Sequence, residues 1–267
     1  MHRNNAELSE LLAELTPPVL RAGKVVMAIH ERGADARIKA DGSPVSEADE
    51  AAEAVLLEAL RAAAPHIPVV SEEHAASHAM APESSFFLVD PIDGTREFLR
   101  TDGNGAFTVN IGLIENGEPV FGIVHAPARD RFFSGIVGQG ACETSGGTTR
   151  DLAVRPVPDS GPVAMASRSH RDSLTNDWLV QHRIAETIST GSSLKFGLLA
   201  AGEADVYPRF GPTMEWDTAA GDAILRAAGG TVVTPDGARF TYGKDGYRNS
   251  AFIACAGFRP GNVTRGR

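Results

Sequence analysis

The chain has 267 residues, of which 42% are apolar and 22% are charged, and its formal net charge is −9 at pH 7. This length and apolar content are sufficient for a buried core in one or two domains. The acidic balance, without any stripe of Lys and Arg, argues against nucleic acid polymers as partners, because the protein would repel a phosphate backbone. Cys142 and Cys255 lie far apart and show no metal-type spacing, which favours a reducing cytoplasm.

No targeting or membrane segment is expected. The N-terminal residues lack a secretory apolar region with a cleavage site, and no apolar run reaches the roughly 18 residues that a membrane helix needs. The sequence therefore predicts a cytoplasmic protein without integral membrane association. Peripheral contact with the inner membrane stays open as an alternative, although the chain has no basic amphipathic stretch that would drive it.

The first elements are predicted to be helices. Helical periodicity covers residues 11–30 and is expected to break at Pro17 and Pro18. After a polar loop, Ser46 is the expected N-cap of a second helix, and Asp49 stands at the N3 position of a capping box. Capping alone could explain Asp49.

Two apolar strands then run directly into carboxylates. Residues 86–89 precede Asp90, where a proline and a glycine are expected to take the chain out of the sheet, and Asp93 follows closely. Residues 69–70 lead in the same way to Glu72. Such oxygen ligands suit a hard cation such as Mg²⁺, which fills its other positions with water and substrate phosphate. An ordinary Asp/Gly turn is the alternative interpretation.

The middle of the chain predicts an antiparallel meander. Residues 106–114 and 119–124 are expected to form a hairpin through Asn116 and Gly117, and residues 132–136 to continue the sheet. The glycine- and threonine-rich residues 138–150 are predicted to form an exposed turn region without chemistry.

The rest of the chain alternates strands with helices, which is typical of an α/β arrangement. Residues 155–162 form the connector, and Asp217 is expected in the first turn of the last helix, where an acidic residue favours the helix dipole. Strands are predicted near 163–167, 186–190, 204–208, 231–234 and 251–254, and helices near 172–182, 192–202 and 217–228.

Three motifs in this order resemble the lithium-sensitive, Mg²⁺-dependent phosphatase superfamily that includes inositol monophosphatases and fructose-1,6-bisphosphatases. They are Glu-Glu at 72–73, Asp-Pro-Ile-Asp-Gly-Thr at 90–95 and Trp-Asp-Thr-Ala-Ala-Gly at 216–221. The resemblance implies a mixed α/β fold, a layered α-β-α-β-α sandwich, with an N-terminal half of residues 1–155 and a C-terminal half of residues 156–267. It places the site in the cleft between the halves, and it leaves monomer and homodimer open.

The resemblance also implies hydrolysis with two or three Mg²⁺ ions and inhibition by Li⁺. The implied catalytic pair is Asp49 and Thr95, which would orient and deprotonate the attacking water. Gly94, Thr95 and Arg96 would lie against the substrate phosphate, Gly94 because it leaves backbone N–H groups open. The implied metal ligands are Glu72, Asp90, the backbone carbonyl of Ile92, Asp93 and Asp217.

Residues 167–170, 191–196 and 207–213 further resemble the 3'(2'),5'-bisphosphate nucleotidase branch, which removes the 3'-phosphate of adenosine 3',5'-bisphosphate and leaves AMP. A second phosphate needs cations away from the metals, and Lys195 and Arg209 offer a point charge and a planar fork. By resemblance the pathway is sulfur assimilation. The implied substrate-binding residues of this half are His170, Ser192, Lys195, Arg209 and Asp217, although Ser192 could be only a helix N-cap.

Other readings of the same residues remain. The metal core would equally serve an inositol monophosphatase or a general sugar-phosphate phosphatase, and a non-catalytic sensor of adenosine bisphosphate is the alternative from another class. Asp49 and Thr95 speak against a sensor, because a pure binder has no need of a water-activating pair. Glu215 adds a carboxylate that either biases metal preference or faces solvent, and Asp222 is expected to be structural.

Overall fold

The computed structural model describes residues 3–38, 44–100, 105–167 and 172–260, and the following statements concern those residues. The helices are α1 (Asn5–Arg32), α2 (Glu47–Ala63), α3 (Thr95–Phe98), α4 (Ser173–Gln181), α5 (Leu194–Ala200) and α6 (Ala219–Ala227). The strands are β1 (Ala36–Ile38), β2 (Pro44–Ser46), β3 (Val69–Ser71), β4 (Ser85–Asp93), β5 (Thr108–Glu115), β6 (Glu118–Ala126), β7 (Arg131–Ile136), β8 (Gly140–Ser145), β9 (Thr148–Leu152), β10 (Val163–Ser167), β11 (Glu186–Thr190), β12 (Val206–Arg209), β13 (Thr231–Val233) and β14 (Phe252–Cys255).

Helix α1 continues through Pro17 and Pro18, so the predicted break is wrong. Each proline removes one backbone donor, but the buried stripe continues past them through Leu15, Pro18 and Val19. Burial of this face, rather than local propensity, holds the helix together. In the part of the chain that the structure describes, no helix combines the length and the apolar content needed to cross a membrane.

The larger sheet has seven strands in the order β3-β4-β5-β6-β7-β8-β9. The predicted hairpin of β5 and β6 is confirmed, and Asn116 and Gly117 close it with φ values of 50° and 79°, as a type I′ turn requires. The prediction for residues 138–150 is wrong, because they form the strands β8 and β9. This segment is only weakly apolar, so its own sequence does not indicate strands. It becomes a strand because β8 hydrogen-bonds to its neighbour β7.

Three glycines, Gly112, Gly122 and Gly135, lie side by side across β5, β6 and β7, and we call them the glycine stripe. A Cβ atom at Gly122 would lie 2.1 Å from the backbone oxygen of Ala220, and one at Gly135 would lie 2.8 Å from the Cα of Ile224. Helix α6 therefore rests almost directly on the backbone of the sheet. This close approach fixes where the segment before α6 meets the strand ends.

The smaller sheet has five strands in the order β11-β10-β12-β14-β13. Helices α1 and α2 share a core with one face of the larger sheet, α5 and α6 pack between the two sheets, and α4 packs against the outer face of the smaller sheet. The elements thus form five layers, which confirms the predicted α-β-α-β-α sandwich.

His125, on β6, gives the protein a specific acid sensitivity. Its side chain packs against Gly23 of α1 and hydrogen-bonds the backbone of Val19, and burial lowers its pKa to about 4. The His125 imidazole is therefore protonated near pH 6.5 in the unfolded chain but only near pH 4 in the folded chain. We expect the free energy of unfolding to fall by about 3 kcal/mol because of this residue as the pH is lowered from 6.5 to 4.

Urea unfolding of the wild type and of His125→Asn at pH 7, 6, 5 and 4 isolates this contribution. The variant is expected to be less stable at pH 7 but to lose less stability on acidification, since it lacks the titrating ring. Parallel pH profiles for the two proteins would show that His125 does not cause the acid sensitivity.

Candidate active site

A carboxylate cluster lies where strands β3 and β4 of the larger sheet approach the start of α6. Glu72 directly follows β3, Asp90 lies within the neighbouring strand β4, and Asp217 precedes α6. One carboxylate oxygen from each of these three residues lies within 4.8 Å of the others. The cluster opens into a cavity of about 500 Å³. Strand pairing of β3 with β4 and the packing of α6 on the glycine stripe bring these distant residues together.

The backbone around Asp90 differs from the predicted strand end. Strand β4 continues to Asp93, with a change of register between the pairs Asp90–Asn110 and Asp93–Thr108. Asp90 and Asp93 stand three positions apart, and a regular strand would turn side chains at that odd spacing to opposite faces. The irregularity lets both acidic side chains serve the site. Ile92 lines the cavity, and its carbonyl accepts a hydrogen bond from the Thr95 hydroxyl at 3.3 Å.

The side chain of Asp90 is 1% exposed, and neither of its oxygens has a hydrogen-bond partner among the described residues. Burial, followed by the charges of Glu72 and Asp93, raises the pKa of Asp90 well above its usual value. Burial, Asp93 and Glu72 raise the pKa of Asp217 in the same way. Asp90 is thus a buried carboxylate without a hydrogen-bond donor among the described residues, next to two further carboxylates that repel it. A divalent cation would satisfy such a donor set, so these residues fit a metal site.

Asp217 lies in a short 3₁₀ turn, Glu215–Asp217, instead of the first turn of α6 as the sequence predicted. The tight turn forms because the Asp217 carboxylate accepts a hydrogen bond from the backbone N–H of Met214 at 2.8 Å. Asp93 accepts hydrogen bonds from the backbone N–H and the hydroxyl of Ser193, the latter at 2.6 Å. Each of the two carboxylates is therefore held by a neighbour.

Asp49 lies at the start of α2, outside the residues that line the cavity. It is 1% exposed and forms the predicted capping box, in which its carboxylate accepts hydrogen bonds from the backbone N–H and hydroxyl of Ser46 at 2.8 and 2.7 Å. Its charge nevertheless contributes to the raised pKa of Asp90. Thr95 lines the cavity at the start of α3, and β2, which leads into α2, packs against α3.

The opposite side of the cavity is cationic. Lys195 is 4% exposed and donates to the carbonyl of Ser192 at 2.6 Å, and burial lowers its pKa to about 8, opposed by the charge of Asp93. Arg209 is 7% exposed and donates to the carbonyls of two loop residues, Gly211 and Pro212. Both cations therefore stand at fixed positions in the lining.

Gly94, Arg96 and Ser192, which the sequence analysis assigned to substrate binding, also line the cavity. Gly94 has φ of 92°, a left-handed conformation that favours glycine before α3. Ser192 is not the N-cap of α5, since that position belongs to Ser193, but its hydroxyl accepts a hydrogen bond from the Leu194 N–H at 3.2 Å. The prediction for His170 lies outside the described residues.

Sequence analysis missed several lining residues, of which Tyr207 is the most informative. It lies on β12 two positions before Arg209, and its ring lies 5.0 Å below the ammonium group of Lys195. Alternation along a strand places Tyr207 on the same face as Arg209, and this signal was present in the sequence. Glu97, Ser167 and Thr213 also line the cavity, and the last two belong to the segments 167–170 and 207–213 that carry the nucleotidase resemblance.

The two further acidic residues near the last motif are structural. Glu215 is fully buried and accepts hydrogen bonds from the backbone N–H groups of Gly243 and Lys244, so it neither faces solvent nor stands free for a metal. Asp222 pairs with Arg226 and accepts a hydrogen bond from the Tyr242 hydroxyl at 2.9 Å, as its structural interpretation predicted.

The sequences of several relatives align with most of this chain. It is 44% identical over 214 residues to the 3'(2'),5'-bisphosphate nucleotidase CysQ of Shigella flexneri, across 79% of this chain and 85% of the relative. It is 42% identical over 225 residues to the CysQ of Salmonella typhimurium, across 83% of this chain and 89% of the relative.

Solved structures show the same fold. The crystal structure of CysQ from Bacteroides thetaiotaomicron, a bacterial member of the inositol monophosphatase family, superposes with a TM-score of 0.78 at 35% identity and covers 94% of this chain and 98% of that one. The inositol monophosphatase from Anabaena superposes with a TM-score of 0.73 at 26% identity and covers 94% and 92%.

Two sheets and three layers of helices, with a carboxylate cluster beside β3, β4 and the start of α6, are the features of a metal-binding α/β protein. Residues 7–257 match the inositol monophosphatase family, and the chain belongs to that family. Family membership and the acidic cluster together imply that the protein depends on a divalent cation.

Proposed function

We propose that this protein is a Mg²⁺-dependent phosphatase that hydrolyses the 3'-phosphate of adenosine 3',5'-bisphosphate and releases AMP. The observation that carries the proposal is a single cavity lined by the carboxylate cluster on one side and by buried Lys195 and Arg209 on the other. The 42–44% identity to CysQ nucleotidases supports the choice of substrate.

Glu72, Asp90, Asp93, Asp217 and the carbonyl of Ile92 would hold two or three Mg²⁺ ions. Hard oxygen donors favour Mg²⁺, which takes only some of its ligands from protein carboxylates. Its remaining positions would be filled by water and by an oxygen of the substrate phosphate. The bound ions would polarise the phosphate, lower the pKa of a bound water and neutralise the leaving oxygen.

Protein groups would perform the positioning. Asp49 would accept the proton of the attacking water and Thr95 would orient that water. The charge of Asp49 acts on Asp90, and β2, which leads into α2, packs against α3, where Thr95 lies. Gly94, Thr95 and Arg96 line the cavity, and Gly94 is in a left-handed turn. The backbone N–H groups at this turn and Arg96 would bind the phosphate oxygens.

Lys195 and Arg209 would bind the second phosphate of the substrate. Their burial matters, because a charge-assisted hydrogen bond in a site of low dielectric is stronger than one in water. A sugar monophosphate has no second phosphate to place there. Ser192 would add a hydroxyl contact to the same group, and His170 would lie at the nucleotide.

Phosphate release from adenosine 3',5'-bisphosphate, inositol 1-phosphate and fructose 1,6-bisphosphate tests the proposal. We expect a preference of about 100-fold in kcat/KM for the nucleotide, which corresponds to about 2.7 kcal/mol of transition-state binding. Comparable rates on all three substrates would contradict the nucleotidase assignment and leave a general phosphatase.

Replacement of Lys195 and Arg209 by alanine should change substrate preference. Each variant is expected to lower kcat/KM for the nucleotide by about 10- to 100-fold, since a hydrogen bond to a charged group contributes about 1.5 to 3 kcal/mol. Turnover of inositol 1-phosphate should change by less than about fivefold, because this substrate has no second phosphate for the two cations to bind. Kinetics on both substrates measure the difference.

Lys24→Ala is the matched control, because Lys24 is exposed on α1, away from the cavity. It should leave both activities at wild-type values. If Lys195→Ala and Arg209→Ala lower both activities equally, these cations stabilise the site as a whole and do not select the substrate.

A further inference from the structure

Ser193 lies between the two segments that carry the acidic residues. It is 2% exposed, and both its backbone N–H and its hydroxyl contact the same oxygen of Asp93. The hydroxyl oxygen also lies 2.7 Å from the backbone carbonyl oxygen of Asp217. One side chain therefore contacts β4, which carries Asp93, and the turn before α6, which carries Asp217.

Asn110 on β5 links Ser193 to the position of Asp90, which lies on β4 as Asp93 does. Its side-chain amide donates to the Ser193 hydroxyl at 3.2 Å, and in the sheet it stands directly opposite Asp90. Residues directly opposite in an antiparallel pair share one face of the sheet, so Asn110 and Asp90 point to the same side. Asn110 is fully buried, and its carbonyl oxygen has no hydrogen-bond partner in the described ranges.

The donors and acceptors define the direction of these bonds. The Asn110 amide can only donate to Ser193, so the single hydroxyl proton of Ser193 is left for the Asp93 carboxylate or the Asp217 carbonyl. Asp93 Oδ2 accepts the Ser193 N–H in either case. The orientation of this carboxylate is thereby fixed where Asp93 lines the cavity.

Ser193 occupies the N-cap position of α5, where a serine ordinarily accepts a hydrogen bond from the first turn of its helix. Here the side chain makes no capping bond. The preceding residue, Ser192, adopts φ of 55°, an uncommon conformation for a residue other than glycine. The Ser193 side chain therefore does not cap α5 and instead contacts Asp93 and Asp217.

We propose that Ser193, supported by Asn110, is a positioning residue that fixes Asp93 and the Asp217 turn relative to each other and so sets the cation affinity of the site. Hydrogen bonds to metal-ligating carboxylates orient the ligands, and their removal typically weakens metal binding by about 10- to 100-fold. The inference rests on the proposed function only in requiring that the carboxylates bind a divalent cation.

Mn²⁺ binding to the EDTA-stripped protein, followed by electron paramagnetic resonance without substrate, tests this role. Ser193→Ala is expected to weaken Mn²⁺ binding by about 10- to 100-fold and Asn110→Ala by less. The double variant should lose less affinity than the two single losses combined, because both changes break the same chain of hydrogen bonds. Ser193→Thr, which keeps the hydroxyl, should recover part of the affinity.

Ser134→Ala is the matched control. Ser134 is 3% exposed on β7 and contacts Cys142, so the change removes a buried hydroxyl away from the carboxylates. It should lower stability slightly and leave Mn²⁺ affinity unchanged. In phosphate-release assays, Ser193→Ala should need more Mg²⁺ for half-maximal rate and approach the wild-type kcat at saturating Mg²⁺, which a general loss of structure would not produce.

Wild-type Mn²⁺ affinity in a folded Ser193→Ala variant would overturn the inference. If near-ultraviolet circular dichroism shows that Ser193→Ala does not fold, Asn110→Ala takes its place. Wild-type Mn²⁺ affinity in a folded Asn110→Ala variant would then overturn the inference. These outcomes are distinct from failure of the proposed function, which the substrate panel on the wild type reveals while Mn²⁺ binding remains measurable.

Discussion

Replacement of Asp90 by Asn should abolish phosphate release and at the same time stabilise the metal-free protein. Asp90 is buried beside Glu72, Asp93 and Asp217, and its oxygens have no hydrogen-bond donor within the described residues. A carboxyl pKa that is raised in the folded state costs stability at every pH above its unfolded value, so removal of the charge relieves that cost near pH 7. Cation binding in the wild type offsets the same cost.

We expect Asp90→Asn to lose at least about 10³-fold in kcat, because the change removes a charged ligand from the metal site. In thermal scans with EDTA, the variant should melt several degrees above the wild type. Added Mg²⁺ should raise the melting temperature of the wild type but not that of the variant. These two measurements separate the loss of function from any loss of folding.

Asp151→Asn is the control, since Asp151 is exposed on the edge strand β9 and the change is chemically identical. Both its activity and its melting temperature should match the wild type. If wild type and Asp90→Asn both bind adenosine 3',5'-bisphosphate and neither releases phosphate, the protein is a sensor and the catalytic account is wrong.

Gly122→Ala should cause the largest loss of stability. The added Cβ would lie 2.1 Å from the backbone oxygen of Ala220, a distance that requires α6 to move as a unit. Overpacking of this kind typically costs about 1 to 3 kcal/mol. Contact with backbone places this variant at the upper end, at about 3 kcal/mol, or a fall of about 10 °C in melting temperature. Movement of α6 also displaces the Asp217 turn, so Mn²⁺ affinity should fall as well.

Gly138→Ala gives the appropriate contrast. Gly138 has φ of 87° and open space where the Cβ would stand, so its change reports backbone strain alone, about 1 kcal/mol. It should leave Mn²⁺ affinity unchanged. If Gly122→Ala is no less stable than Gly138→Ala and binds Mn²⁺ normally, the glycine stripe does not position Asp217.

The sequence predicted the layers and most elements because burial patterns along each segment reveal helices and strands locally. It failed at Pro17 and Pro18, where a buried face shared with distant residues overrides a local helix breaker. It also failed for β8 and β9, whose pairing partners lie in β7 and in each other. Both errors come from tertiary contacts that local propensity does not contain.

The motif residues around the cavity could be named from the sequence, because Glu72, Asp90 and Asp217 lie in short, recognisable segments. Ser193 and Asn110 could not, since a serine beside a helix and an asparagine in a strand have no distinctive pattern. Their position depends on the register between β4 and β5 and on the close approach of α6. The roles of the individual site residues, and the division of the chain at residue 155, stay predictions.

The most direct measurement of the central claim is product analysis of adenosine 3',5'-bisphosphate after incubation with EDTA-stripped protein to which Mg²⁺ is restored. We predict stoichiometric release of phosphate, AMP that carries its phosphate on the 5' position, and no reaction while EDTA is in excess. Release of the 5'-phosphate, or turnover that persists in EDTA, would contradict the account.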